Sequence, residues 1–346
     1  MTREVRIGNV VIGGGNRVAV QTMTNTKTSD IDGTIRQILE FEEAGCDIVR
    51  SSVPDKASGE AFKEIVKAIH IPLVADIHFD YKLAVLAAEN GAAKIRINPG
   101  NIGSLDRVKY LADFLNERNI PIRIGVNGGS LDKKYEHMES LPEAMCLSAL
   151  EHVHLLEDAN FNNIVISVKS SNVRHTIDAY RMLSERCDYP LHLGVTEAGV
   201  YEKGLVKSAM GIGSLLLDGI GDTIRVSLAD EPVKEVYAAR NILECAGLTT
   251  DYVEVVACPT CARTNIDVMG YANEITRLTR NIKKPIKVAV MGCVVNGIGE
   301  SKDADFGVAG GRGKSAIFKK GEIIKTVPNE DILQELMNMI DEEVNR

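Results

Sequence analysis

No stretch of the chain approaches the roughly 18 apolar residues of a membrane span, and the opening Met1-Thr2-Arg3-Glu4-Val5-Arg6 lacks the apolar core of a secretory signal. These two absences predict a cytoplasmic protein without a membrane partner. Low-complexity tracts are missing as well. With 45% hydrophobic and 25% charged residues, the chain has the composition of an ordinary folded protein rather than a disordered one. A basic excess is also lacking: the formal net charge is −8, which disfavours non-specific nucleic-acid binding, so an anionic ligand must be met by cations concentrated locally. Cysteine is sparse and odd in number, 7 in 346 residues. In a reducing compartment that predicts thiols, ligands or core residues, not a disulfide framework. Histidine is absent from everything after His192.

What is present is a regular alternation. Val5-Arg6-Ile7 and Val10-Val11-Ile12 flank Gly8-Asn9, the signature of a small hairpin. Eight strand candidates follow: Val18 to Gln21, Asp47 to Arg50, Leu73 to Asp76, Ala93 to Ile97, Ile122 to Val126, Ile164 to Val168, Leu191 to Val195 and Thr223 to Ser227. Amphipathic stretches such as Thr34 to Ala44, Leu105 to Arg118 and Val233 to Ala246 separate or follow them. The count and length fit a (β/α)8 TIM-type barrel better than an open doubly wound sheet. The weakest helix is Gly204 to Asp218, because glycines at 204, 211 and 213 lower its propensity. After Gly247, Thr249-Thr250-Asp251 reads as a linker. The expected division is a barrel over 1–250, hairpin included, and a smaller α+β domain over 251–346.

Cys258-Pro259-Thr260-Cys261 follows a predicted strand and can present two thiols to one metal. A thioredoxin-like pair uses the same spacing, but leaves Cys293 unexplained. A structural zinc usually takes four Cys or His ligands, whereas this domain has three Cys and no His. Cys293 lies in Gly292-Cys293-Val294-Val295-Asn296-Gly297-Ile298-Gly299-Glu300, after another apolar strand. Three thiolates suit an iron–sulfur cluster with one distinctive iron, for which Glu300 is the best-placed local oxygen ligand. A buried structural trio is the bland alternative. Cys46, Cys146, Cys187 and Cys245 lack ligand spacing and read as core or incidental thiols.

In a barrel, chemistry sits at the C-terminal strand ends. The predicted strands two, four, five, six and eight place Arg50, Arg96, Arg123, Lys169 and Arg225 there, a convergence that predicts a phosphorylated or diphosphorylated substrate. Against it stands pairing with acids such as Asp76 or Glu197. Asp76, His78, Asn98, Asn127, Glu197 and Ser227 fall on the same rim and can orient hydroxyls or relay protons. Gly307-Val308-Ala309-Gly310-Gly311-Arg312-Gly313-Lys314-Ser315 imitates a phosphate loop but has Val308 where a Walker motif needs glycine. It reads as a glycine-rich turn.

Val20-Gln21-Thr22-Met23-Thr24-Asn25-Thr26, Ala75-Asp76-Ile77-His78-Phe79 and Arg96-Ile97-Asn98-Pro99-Gly100-Asn101-Ile102-Gly103, with the two cysteine motifs, together resemble the 4-hydroxy-3-methylbut-2-enyl diphosphate synthase family. The resemblance covers nearly the whole chain and is to the shorter, two-domain bacterial form. It implies reductive ring opening and dehydration of 2-C-methyl-D-erythritol 2,4-cyclodiphosphate, in non-mevalonate isoprenoid biosynthesis. It also implies a 4Fe-4S cluster held by Cys258, Cys261, Cys293 and Glu300, electrons from flavodoxin or ferredoxin, and a homodimer with composite sites. By the same resemblance Arg50, Arg96, Arg123, Asn127, Lys169, Arg225 and Ser227 bind substrate, Glu197 is a candidate acid and Glu300 a catalytic ligand. The rivals are a barrel transferase with a structural metal domain and an iron–sulfur electron carrier.

Overall fold

After the hairpin, each short apolar run in the first part of the chain becomes a parallel strand, and each amphipathic stretch a helix returning over it. The computed structural model describes residues 1–135, 137–294, 299 and 301–345. Its first strands are β1 (Val5–Ile7), β2 (Val10–Ile12), β3 (Ala19–Met23), β4 (Ile48–Ser52), β5 (Leu73–Asp76), β6 (Lys94–Arg96), β7 (Ile122–Asn127), β8 (Ile164–Lys169), β9 (His192–Leu193) and β10 (Thr223–Ile224). Strands β3 to β10 form one sheet in the order β8-β7-β6-β5-β4-β3-β10-β9. A parallel bridge between Ile166 and Leu191 brings its two edges together into a (β/α)8 barrel.

The outer ring consists of α1 (Ile31–Glu43), α2 (Lys56–Ala68), α3 (Tyr81–Glu89), α4 (Leu105–Asn116), α5 (Leu141–Asp158), α6 (Val173–Arg186), α7 (Tyr201–Leu217) and α8 (Pro232–Cys245). Asp30, Asp55 and Asn172 accept backbone N–H groups at the starts of α1, α2 and α6, each such cap contributing about 1 kcal/mol. Gly45 and Gly91 follow α1 and α3 at φ +90° and +97°, a conformation side chains resist. The glycines expected to weaken α7 instead let it pack. A Cβ at Gly204 would stand 2.6 Å from Leu228 and one at Gly211 2.6 Å from Val195, so close contact outweighs poor propensity.

The hairpin plugs the barrel. Val5, Ile7 and Ile12 pack against Ala19, Ile48, Val74 and Val165, and full burial of each large aliphatic side chain contributes about 1.5–3 kcal/mol. Two residues further along several strands, the inward positions are polar: Gln21, Arg50, Asp76, Arg123, Ser167 and the 0%-exposed Lys94 among them. An ordinary barrel of this type fills its interior with branched apolar residues. Here only the floor is apolar, and that difference sets up the site.

The chain divides into two compact units, Met1–Leu248 and Thr249 onward. In the second, β11 (Val253–Ala257), β12 (Ile286–Met291), β13 (Phe306–Ala309), β14 (Lys314–Lys319) and β15 (Glu322–Pro328) form a mixed sheet in that order. The first three strands run parallel and the rest antiparallel. Helices α9 (Val268–Thr279) and α10 (Ile332–Val344) bury Val268, Ile275, Leu336 and Ile340 against this sheet. The glycine-rich stretch is a correction: its Gly307-Val308-Ala309 belongs to buried β13 rather than to a turn. A Cβ at Gly307 would lie 2.3 Å from the Ala289 carbonyl oxygen, so this glycine admits the neighbouring strand. Strand β14, not a helix, contains Ser315.

Candidate active site

The barrel interior holds more positive charge than its own carboxylates neutralise. Asp76, at the end of β5, is shared by Arg50 at 3.5 Å and Arg96 at 3.1 Å. Burial pushes the Asp76 carboxyl upward, but attraction from Arg50, Arg96 and Arg123 outweighs it and holds the group below its usual range. Glu235, on α8 and 4% exposed, accepts from Arg225 Nε and Nη2 at 3.2 and 3.1 Å, from Thr22 Oγ1 at 2.8 Å and from the Leu228 amide at 3.0 Å. That fork fixes the Arg225 guanidinium, which also donates to Ser227 Oγ at 2.5 Å.

Among the described residues Arg123 has no such partner at Nε or Nη2, although it is 2% exposed. Burial, with Arg50 and Arg96 nearby, drives its pKa down from the ordinary arginine value. Lys169, 7% exposed at the end of β8, is pushed down by burial and by Arg123, Arg225, Arg50 and Arg96. Space for these groups comes from missing side chains. A Cβ on Gly125 would approach Arg96 Nε to 2.8 Å, and one on Gly194 would approach Lys169 Nζ to 2.6 Å.

The structure therefore brings Arg50, Arg96, Arg123, Lys169 and Arg225 into one charged interior, with corrections to their placement. Arg123 is the second residue of β7 and Arg50 lies mid-strand in β4, not at a strand end. Alternation inside Ile122-Arg123-Ile124 turns the arginine into the barrel while its neighbours face the helices. Asn127 does end β7, paired in register with Lys169. Asp76 bonds arginines, the pairing weighed against an anion site, and His78 is exposed. Glu235, not Glu197, is the second acid. Glu197 is exposed and sits at φ +51°, a conformation uncommon outside glycine and found at strained loop positions.

Glu235, Lys94, Gln21 and His192 were not singled out from the sequence. For Lys94 a signal existed: a cation within an apolar strand, two residues before Arg96 and so on the same face. The dependence of Arg225 on Glu235 gives a direct test. Glu235→Gln is expected to lower stability by about 3–5 kcal/mol, the usual effect of removing one partner of a buried pair, measured by urea denaturation.

In the second unit Cys258 follows β11 and Cys293 follows β12, the adjacent parallel strand. Cys258 Sγ accepts the Gly292 amide at 3.2 Å, next to Cys293 in sequence. Cys261 is exposed, and hydrogen bonds from the Arg263 backbone and side chain draw its thiol below the usual value. Cys46, by contrast, is buried and pushed up to about 12 by desolvation, which keeps it a protonated core thiol. Accessible thiols following the C-terminal ends of two adjacent strands, two of them supplied with N–H donors, are a donor set suited to iron and sulfide. Among the described residues no three Cys, His, Asp or Glu side chains already stand as a metal cluster. Glu300 lies outside the described residues.

These features define a barrel protein with a cation-rich mouth, followed by an α+β domain carrying accessible cysteines. Residues 2–240 match the GcpE TIM-barrel domain and residues 254–342 the GcpE protein C-terminal domain. The chain belongs to the GcpE family. It is 57% identical over 346 residues to 4-hydroxy-3-methylbut-2-en-1-yl diphosphate synthase (flavodoxin) of Caldanaerobacter subterraneus subsp. tengcongensis, covering 99% of this chain and 98% of that one. The protein of that name from Clostridium acetobutylicum is 56% identical, with 98% of each chain covered. Among solved structures, the dihydropteroate synthase of Yersinia pestis shares the fold, with a TM-score of 0.54 and 12% identity. That alignment spans 71% of this chain and 100% of the other. No helix among the described residues is long and apolar enough to cross a membrane.

Proposed function

We propose that the chain catalyses the reaction for which its relatives are named, as an iron–sulfur oxidoreductase acting on 2-C-methyl-D-erythritol 2,4-cyclodiphosphate. Two electrons and one proton enter, the ring carbon–oxygen bond to the diphosphate breaks, a hydroxyl takes the proton and leaves as water, and 4-hydroxy-3-methylbut-2-enyl diphosphate is formed. The observation that carries this reading is the surplus of buried cations, above all Arg123, whose Nε and Nη2 are buried without a partner. Such donors are costly when unmet and match phosphate oxygens.

Arg123, Lys169 and Arg225 hold the diphosphate, Arg50 and Arg96 add charge from the Asp76 side, and Asn127 and Ser227 orient its oxygens. Glu197, on a solvent-facing loop, is the candidate proton donor. Cys258, Cys261 and Cys293 hold a 4Fe-4S cluster, with Glu300 as the fourth ligand. When bound, that cluster would supply single electrons and a Lewis-acidic iron. The cationic interior favours bond breaking for an electrostatic reason: opening the ring turns a diphosphate diester with one charge on each phosphorus into a more highly charged monoester. Two copies of the chain assemble as a homodimer in the cytoplasm, with flavodoxin or ferredoxin as electron donor.

Anaerobic purification with iron and sulfide determination, then assay on the cyclic diphosphate with reduced flavodoxin, tests this reading. Iron and sulfide in equal amounts and formation of the open diphosphate are expected. Zinc without sulfide, and no turnover, would favour the barrel transferase. Bound cluster without affinity for the cyclic diphosphate would favour an electron carrier.

A further inference from the structure

Beneath the groups assigned to the diphosphate lies another cation. Lys94 precedes Arg96 by two residues on β6, so it enters the barrel one layer lower. Its Nζ donates to Gln21 Oε1 at 3.3 Å, a neutral acceptor, and Gln21 Nε2 is buried without a partner. No carboxylate contributes to its surroundings among the described residues; the charges that act on it are Arg123, on the next strand, and Arg50. Lys169 on β8 and His192 on β9 belong to the same interior, and both are pushed down by burial and by neighbouring cations. His192 Nδ1 is bonded to Thr223 Oγ1 at 2.7 Å, and its Nε2 has no partner among the described residues. The nearby acids are committed: Asp76 to Arg50 and Arg96, Glu235 to Arg225.

A lysine that served only the fold would be matched by a carboxylate or replaced by an apolar side chain, since an uncompensated buried ammonium is costly. We infer that Lys94 is a positioning residue for the substrate diphosphate, a second layer of positive charge acting on the bound anion through Arg123. The inference rests on the barrel mouth being the cyclic diphosphate site. It also has a proton linkage. In the free barrel, burial and the facing arginines favour neutral Lys94; an anion overhead reverses that preference, so the group takes up a proton on binding. Between its lower pKa when free and its higher pKa when bound, affinity therefore rises as pH falls. Each phosphorus of the cyclic diphosphate carries one strongly acidic oxygen, so a proton taken up near neutral pH belongs to the protein.

The test is calorimetric titration of the holoenzyme with the cyclic diphosphate, in two buffers of different ionisation heat, from about pH 7 to 9. The native protein is expected to take up protons and to bind more tightly at the lower pH. Lys94→Met is expected to bind roughly tenfold more weakly with a smaller uptake, and to raise KM more than it lowers kcat. Lys94→Gln replaces it if the methionine variant does not fold. Binding without proton uptake by the native protein, or affinity and uptake unchanged in a folded Lys94 variant, overturns the inference. If the native protein does not bind the cyclic diphosphate at all, the assignment of the site fails, and the role of Lys94 with it.

Discussion

Arg123→Met is expected to melt several degrees above the native protein while losing at least about a hundredfold in affinity for the cyclic diphosphate. The two effects share one cause. Arg123 buries a guanidinium whose Nε and Nη2 have no partner, and each unmet buried donor costs about 1–3 kcal/mol. The charges that act on it most are the like charges Arg50 and Arg96, with Asp76 a weaker attraction. Replacing a buried ion by an apolar residue of similar length often gains about 1–4 kcal/mol, and 1 kcal/mol moves the melting point of a domain this size by about 2–4 °C. In the bound state the balance reverses. Charge-assisted hydrogen bonds are worth about 1.5–3 kcal/mol each, and methionine makes none. Thermal melting and calorimetric titration measure the pair of effects. A lower melting point would mean that the guanidinium holds the barrel together; unchanged affinity would remove it from the site. The stability cost marks Arg123 as a residue retained for binding.

The barrel was legible because its code is local: an apolar run, then an amphipathic helix, repeated. Leu73 to Asp76 was placed to the residue, since β5 is apolar on both faces until its terminal carboxylate. Helix α6 was not named among the expected helices, although its amphipathic stretch and Asn172 cap are local signals. Strand β13 was missed because Gly307 and Gly310 suggest a turn, whereas their small size admits the backbones of Ala289 and Gly292. Such a requirement comes from residues distant in sequence. The same holds for the site. Its arginines could be recognised by type and position, but their pairing could not: Glu235 reaches Arg225 and Thr22 from a helix with no acidic motif around it. Its place at a strand end revealed Arg96; alternation, applied two residues earlier, would have revealed Lys94.

Cys258→Ser is expected to fold as the parent does, yet retain less than about a tenth of its iron and sulfide and show no reductive turnover. Serine is nearly isosteric, but its hydroxyl stays protonated at neutral pH and is a harder donor than thiolate, a poor match for iron in a sulfide cluster. The fold has little reason to respond. The core of the second unit is built by β11 to β15 with α9 and α10, from Val288, Val308, Phe306 and Ile317 to Leu336 and Ile340, and Cys258 lies only at its edge. What changes is the acceptor facing the Gly292 amide, an N–H that stabilises a sulfur carrying negative charge. Cys245→Ser supplies the contrast: that thiol is exposed on α8 in the barrel unit, so its replacement leaves iron, sulfide and turnover unaltered. Iron and sulfide analysis, with the visible absorption of the cluster, separates the two variants without relying on activity. Full iron content in Cys258→Ser would remove it from the ligand set and return the Cys258-Cys261 pair to a redox or structural role.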